Sequence, residues 1–415
     1  MAKKEYNPAS GEEEVVTKQK KSRTGGYFDY SLLFVWIFIM LLGYVLLYSA
    51  SSYSALNQRG DSAYFLKNQI FSTIIGLVPM LIVTFVDYRF WKKLSKFIYG
   101  AAVATIFLVR TPLGVEANGA RRWVNLKVIQ FQPAEAVKIA VIIMTAYMLS
   151  KCKSTALKHG KMCWQIYSIT IVAGILLFVL TSNLSSALIV FGIGAIMIMI
   201  AGASKHFTGV IIGGVIAGSI SLFFLGQFSD LGFRFSRIAV WRNPEEFVDG
   251  TGYQVMQGLY AIGSGGLFGK GLGNSAQKLG FVPEATNDMI FSIICEELGI
   301  FGAVCIIALF VFMIRRMRVI ASNAPDLFGS MLVIGVMAHI SLQVVLNIAV
   351  VTNFIPNTGV SLPFISYGGT SLLFLMVEMG LVLSVSRRIK KIHWSIYEKY
   401  KKAEKKTWKT FKKVV

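Results

Sequence analysis

Residues 288–314 read DMIFSIICEELGIFGAVCIIALFVFMI. After Glu297 the run carries no charge, and it exceeds the roughly 20 apolar residues with which a helix crosses a bilayer core. Nine runs of the same character accompany it, at 30–50, 65–87, 92–110, 133–151, 164–181, 184–202, 207–226, 328–352 and 368–386. The chain is 54% hydrophobic and 15% charged, with a mean hydropathy of +0.60. That composition excludes an ordinary soluble domain. The expectation is an all-α integral membrane protein with ten transmembrane helices, tightly connected between the second and third and between the fifth and sixth.

Charge orients the spans. Of the 42 lysines and arginines, 30 fall in the two tails and the loops on their side, eleven fall on the other side, and Lys138 lies within a span. Both termini are therefore expected in the cytoplasm by the positive-inside rule. The predicted organisation is a cytoplasmic tail at 1–29, a ten-helix domain at 30–386 with a large extracellular loop at 227–287, and a basic cytoplasmic tail at 387–415. The first tail mixes glutamates and lysines without apolar periodicity and is expected to lack regular structure. The first apolar run is too long for the core of a cleavable signal and reads as a retained anchor. A net charge of +21 concentrated beside the membrane points to the lipid bilayer as partner and not to nucleic acid. The stretch KKAEKKTWKTFKK, with Trp408 and Phe411 among lysines, is expected on the inner leaflet. Cys152, Cys163, Cys295 and Cys305 are not placed for an extracellular disulfide, and the four histidines are too scattered to suggest a metal site.

The large loop is longer than a connector requires. FSRIAVWRNPEEF (235–247) and YQVMQGLYAIG (253–263) both read as amphipathic segments, the first carrying Arg242 at the interface. The glycines that follow imitate a phosphate loop, but Ser264 stands where glycine would be needed before Lys270, and Gly271 where Ser or Thr would follow. A dinucleotide fingerprint fails for want of a preceding strand. What remains is a flexible loop whose backbone can approach a ligand, with Lys270 and Lys278 supplying charge. Asp288 then opens the eighth run at the water's edge, either as a helix cap beside Asn287 or as a functional acid. Glu296 and Glu297 lie deeper, and Glu378 lies in the tenth run; intramembrane acids are functional candidates that can equally bond a neighbouring helix.

Another outer loop reads EANGARRWVNLKVIQFQPAEAVK (116–138). Arg121 and Arg122 beside Trp123 suit a phosphate and a sugar face, or an interfacial anchor. Gln132 precedes Pro133 at a helix start, and Glu135 and Lys138 share one face, either neutralising each other or meeting a substrate. Residues 353–371, NFIPNTGVSLPFISYGGTS, carry no charge and are too irregular to face lipid, so they must line a cavity or pack within the protein.

NGARRWV with QPAEAVK, PEATNDMIFSIICEELG, and TGVSLPFISYGGTS together resemble the three signature regions of the SEDS family, the shape, elongation, division and sporulation proteins typified by FtsW and RodA. The resemblance covers residues 30–386 in order. It departs where the family often has QPDLGT before the sixth span, here SNLSSA, and QPSE, here QPAE. It implies a peptidoglycan glycosyltransferase that polymerises lipid II, an undecaprenyl-pyrophosphate disaccharide peptide, with a class B penicillin-binding protein and other divisome membrane proteins as partners. The family's essential acid falls on Asp288, as base for the acceptor hydroxyl. Arg121, Arg122, Trp123, Gln132, Glu135, Lys138, Arg242, Lys270, Lys278, Glu284, Ser366 and Gly368 are the candidate substrate-binding residues. No cofactor is required, although a divalent cation, magnesium or manganese, could assist the pyrophosphate leaving group. A lipid II flippase and a non-catalytic scaffold are the alternatives.

Overall fold

A computed structural model of the chain describes residues 3–7, 12–16, 26–117, 120–125, 130–152, 154–158, 160–225, 233–247 and 252–390. Helices lie on all ten apolar runs: α1 (Tyr30–Arg59), α2 (Tyr64–Phe85), α3 (Tyr88–Leu108), α4 (Pro133–Lys151), then after a four-residue helix α5 (Ser154–Leu157) come α6 (Gly160–Thr181), α7 (Leu184–Ile200) and α8 (Lys205–Leu225). The large loop supplies α9 (Phe233–Arg242) and α10 (Tyr253–Gly265), and the last three runs supply α11 (Ile290–Ser322), α12 (Leu327–Val351) and α13 (Gly369–Ser386). Seven of them, α1, α2, α4, α6, α11, α12 and α13, are long and apolar enough to cross a membrane by length and composition.

Local chemistry sets the helix ends. Asp29 caps α1 by accepting from the Leu32 N–H, and Gly60 ends it in the left-handed region at φ 71°. Pro133 sits in the first turn of α4 after Gln132, as its fixed φ favours. Asn183 caps α7 through the Ser186 N–H. Burial sorts the bundle: 72%, 67% and 61% of the most apolar window is buried in α4, α13 and α12, against 33–44% in α1, α2, α6 and α11. The first three therefore form its centre.

Strands appear where only helices and loops are expected. The 114–131 segment forms a three-stranded antiparallel sheet, β4 (Gly114–Ala117), β5 (Ala120–Asn125) and β6 (Gln130–Phe131), following strands β1 (Lys3–Asn7), β2 (Glu12–Val16) and β3 (Gly26–Tyr27) in the N-terminal tail. Asn118-Gly119 between β4 and β5 is a strong hairpin signal that the helical reading passed over. The tail expected to lack regular structure pairs β1 with β2 as antiparallel strands. The basic tail from Lys391 onward, expected on the inner leaflet, lies outside the described residues.

One end of the bundle is tied together. Strand β3 pairs with β7 (Ile389–Lys390). The Asp29 N–H donates to Ser386 Oγ at 2.9 Å, while its carboxylate binds Arg316 at 2.7 Å. Arg388 reaches Asp87 at 2.8 Å, and Asp326, the cap of α12, accepts from Arg89 at 3.1 Å. Both ends of the helical domain thus meet in one network.

The glycine-rich stretch at 263–273 is not the flexible loop expected, because it is bonded to α11. Helix α11 is broken at Gly299, where φ is 67° and ψ −168°. The break frees the carbonyls of Glu296 and Glu297 and the N–H groups of Ile300 and Phe301. The glycine-rich turn satisfies all four: Lys270 N–H donates to Glu296 O and Gly271 N–H to Glu297 O, each at 2.9 Å, and Ile300 and Phe301 donate to Gly266 O and Leu267 O, each at 3.0 Å. A Cβ on Gly269 would lie 2.2 Å from Glu297 O, so glycine there permits approach to a helix and not to a ligand.

Candidate functional site

Asp288 lies in the turn that leads into α11, only 9% exposed. That turn is built on an unusual residue. Glu284 adopts φ 54°, a left-handed conformation costing about 1–2 kcal/mol in a non-glycine residue. It is held there because the N–H groups of Asn287 and Met289 both donate to the Glu284 carbonyl, at 2.9 and 3.3 Å, and the Asn287 amide also bonds the Glu284 carboxylate. The Glu284 side chain itself is exposed.

The irregular 353–371 segment packs against this turn. Asn347 of α12, fully buried, donates from one amide nitrogen to Asp288 O at 2.8 Å and Val360 O at 2.7 Å. Ser366 Oγ donates to Asn287 O at 2.6 Å while accepting from the Leu362 N–H, and the Tyr367 N–H donates to Thr286 O at 2.9 Å. Gln69 of α2 donates to Ser366 O and accepts from the Gly368 N–H, each at 3.2 Å. Ser366 and Gly368 thus support the turn that carries Asp288.

Among described residues, the one side chain recorded within hydrogen-bonding range of the Asp288 carboxylate is Gln254 on α10, with long contacts of 3.4 and 3.5 Å. Burial, and secondly the nearby Glu284 charge, push the Asp288 carboxyl up to about 6, with hydrogen bonds from the Asp288 backbone, Gln254 and the Met289 backbone pulling the other way. A carboxyl poised near neutrality can accept a proton from a substrate hydroxyl. Sequence reasoning missed Gln254 and Asn347, since neutral amides in apolar helices carry no charge signal.

The two lysines expected to meet substrate are held by carboxylates of α11. Lys270 binds Glu296 at 2.7 Å, and Glu296 also accepts from Ser275 and, at 3.2 and 3.3 Å, from the N–H groups of Ala276 and Gln277. Lys278, 6% exposed, binds Glu297 at 2.9 Å, with Ser49 bonded to both. Glu135 and Lys138 make a buried pair at 2.7 Å, with Glu135 Oε2 left without a partner. Arg121 pairs with Glu116 at 3.6 Å, and Arg122 donates to Ser182 O at 3.3 Å on the β5 strand that also carries Trp123. Arg242, at the end of α9, is exposed. The structure brings Asp288, Glu284, Ser366 and Gly368 together, and places Lys270 and Lys278 along α11 below them. Glu378 bonds His339 at 2.8 Å between α13 and α12.

A divalent ion finds no group of three or more His, Cys, Asp or Glu side chains among the described residues. Glu284 and Asp288 are the carboxylates that could share one with a substrate phosphate, an arrangement that suits magnesium, which is commonly bound by one or two carboxylates plus phosphate.

Comparison with known proteins places these features in a lineage. The family model for cell cycle proteins of the FtsW, RodA and SpoVE type matches residues 29–391. The stage V sporulation protein E of Bacillus subtilis is 37% identical over 365 residues, 86% of this chain and 97% of that protein. A probable peptidoglycan glycosyltransferase FtsW of Trichlorobacter lovleyi is 34% identical over 364 residues, 88% and 94% of the two chains. Among solved structures, a chain of a peptidoglycan synthase complex aligns with a TM-score of 0.69 at 25% identity, covering 87% of this chain and 98% of the other. The rod shape determining protein RodA of Thermus thermophilus aligns at 0.63 and 26%, covering 87% and 97%.

Proposed function

This chain belongs to the FtsW, RodA and SpoVE family of cell cycle proteins, and on that premise we propose that it is a peptidoglycan glycosyltransferase polymerising lipid II, with Asp288 as general base. The observation that carries the assignment is a buried carboxyl near neutrality, fixed through its backbone by Asn347 and met by one side chain, Gln254, among the described residues.

In the reaction, Asp288 takes the proton of the acceptor sugar's 4-hydroxyl as that oxygen attacks the donor's anomeric carbon. The carbon–oxygen bond to the lipid pyrophosphate breaks, and the electron pair leaves with the pyrophosphate. One carboxylate suffices, because this leaving group needs charge neutralisation and not protonation. Direct displacement inverts the anomeric centre, so an α-linked donor yields a β-linked strand. Arg121, Arg122 and Arg242 are the outer cations proposed for the pyrophosphate, Trp123 for a sugar face, and Gln132, Glu135 and Lys138 for the adjoining wall of the site. Lys270 and Lys278 are assigned to the same substrate only through the turn they hold. A divalent ion at Glu284 and Asp288 would add positive charge for the leaving group.

Ten spans with both termini cytoplasmic are proposed for the membrane topology, in the plasma membrane at the division septum. A class B penicillin-binding protein is the proposed partner, supported by the likeness to a chain of a peptidoglycan synthase complex. The septal reading follows the relatives named FtsW; a sporulation role is the second reading, favoured by the 37% identity to stage V sporulation protein E.

The test is glycan-strand formation from purified lipid II by the protein with its cognate penicillin-binding protein, the partner's transpeptidase blocked. Asp288→Asn is expected to lose activity by about 100-fold or more, the usual contribution of a general base, while remaining folded and partner-bound. Equal activity of the two proteins removes Asp288 from the role. Absence of polymer from both moves the flippase or scaffold reading ahead.

A further inference from the structure

The turn that repairs the break in α11 presents an unusual surface. Leu267 is 66% exposed and Phe268 79%, and beside them on α11 Phe301 is 64% exposed. The Phe268 and Phe301 rings lie 6.3 Å apart. Leu272 and Ile300 extend the patch, which continues without a polar interruption into exposed Val304 and then, down the same helix, Val311 and Phe312. Large apolar side chains on a turn otherwise made of glycines and one lysine have no reason to stand in water.

Their height is fixed by α11. Arg315 follows Phe301 by 14 residues, about 21 Å of helical rise, against a hydrocarbon core about 30 Å thick. With the Arg315–Arg318 cluster at the inner boundary, Phe301 lies inside the hydrocarbon below the outer boundary, and the turn bonded to it lies at the same depth. Asp288 lies 13 residues before Phe301, on the other side of the break at Gly299 and in the turn that precedes α11.

We propose that the Leu267–Leu272 turn is a membrane-inserted tip, seated in the acyl region of the leaflet below the site and bonded through its backbone to the break in α11. The segment that sequence assigns to the extracellular loop therefore dips back into the bilayer. The four backbone groups freed at the break do not enter lipid unpaired, because they are satisfied between the turn and α11. Lys270 keeps its charge out of the hydrocarbon by turning its ammonium to Glu296 and Ser264 on the protein side. The tip anchors the broken helix whose first turn follows Asp288, on the leaflet from which a lipid-linked sugar presents its pyrophosphate. That last role rests on the proposed polymerase reading, whereas insertion does not.

Insertion is tested on the full-length protein in phosphatidylcholine–phosphatidylglycerol nanodiscs, without partner or lipid II. Single nitroxide labels are placed by Phe268→Cys and Leu272→Cys in a background with Cys152 and Cys305 replaced by alanine. Val304→Cys serves as the lipid-facing reference and Glu245→Cys as the aqueous one. The ratio of collision with oxygen to collision with a water-soluble nickel chelate at 268 and 272 is expected to match that at 304 and to exceed that at 245 about tenfold. Ratios at both positions equal to that at 245 overturn the proposal. So does shielding from both reagents at both positions, which would mean that protein covers the patch. Two positions guard against a single substitution that disturbs the turn, and neither measurement depends on the enzyme being active.

Discussion

In the general-base role proposed for it, Asp288 acts only when ionised, and its environment resists ionisation. With its carboxyl pushed up to about 6, the base is lost as pH falls through that value and is present above it. The rate of polymerisation should therefore show an acid limb near pH 6, where an exposed aspartate would place it near 4. Glu284→Gln removes the neighbouring negative charge, lowers the cost of ionising Asp288, and should move the limb to lower pH; a pH–rate profile of both proteins reads the shift directly. An unmoved limb would show that the limb belongs to another group. Asp288 was legible in sequence because an acid beside a long apolar run is conspicuous and its surrounding motif is distinctive. Its supports were not, since Asn347 lies 59 residues away in sequence and Gln254 34 away. The lysines were legible in sign but not in partner. Lys270 and Lys278 read as ligands for phosphate because nothing local shows that Glu296 and Glu297, 26 and 19 residues on, fold back to neutralise them.

At the level of elements, the helices were readable as apolar runs, because a backbone in hydrocarbon must satisfy its own hydrogen bonds. The break in α11 was not readable, because a single glycine in Leu-Gly-Ile leaves the hydropathy unchanged. Its trace lies elsewhere, in the cluster Gly265, Gly266, Gly269, Gly271 and Gly273, whose density exceeds what a turn needs. Gly299 combines a left-handed φ of 67° with a site where a Cβ would lie 2.4 Å from Gly269 N and 2.5 Å from Leu267 O. Gly299→Ala should thus cost about 2 kcal/mol or more from strain and clash together. The expected result is a lower apparent melting temperature in detergent and a loss of polymerising activity, whereas Gly60→Ala, which meets nothing within 4 Å, pays only for its left-handed φ. Similar melting of the two variants would refute tight packing at the break. The sheet at 114–131 escaped for a different reason: its strands are short, and in a chain dominated by helical runs a single Asn-Gly pair carried little weight.

Across the whole molecule, the two ends of the helical domain meet, through β3 with β7 and through Asp29 with Ser386 and Arg316. With the proposed topology, a cysteine at Glu245 should react with a charged, membrane-impermeant thiol reagent applied outside intact cells. A cysteine at Ser322 should react only after permeabilisation, in a background lacking Cys152. Labelling of both from the same side would overturn the topology. The zipped break in α11 also bears on how the chain is made. The turn at 266–271 leaves the ribosome before the helix whose exposed backbone it satisfies, and until the two meet, α11 carries four unbonded polar groups, each costing several kcal/mol in lipid. Insertion of α11 and re-entry of the preceding turn are therefore one event in biogenesis: the translocon must release α10, the turn and α11 to the bilayer as a single hairpin.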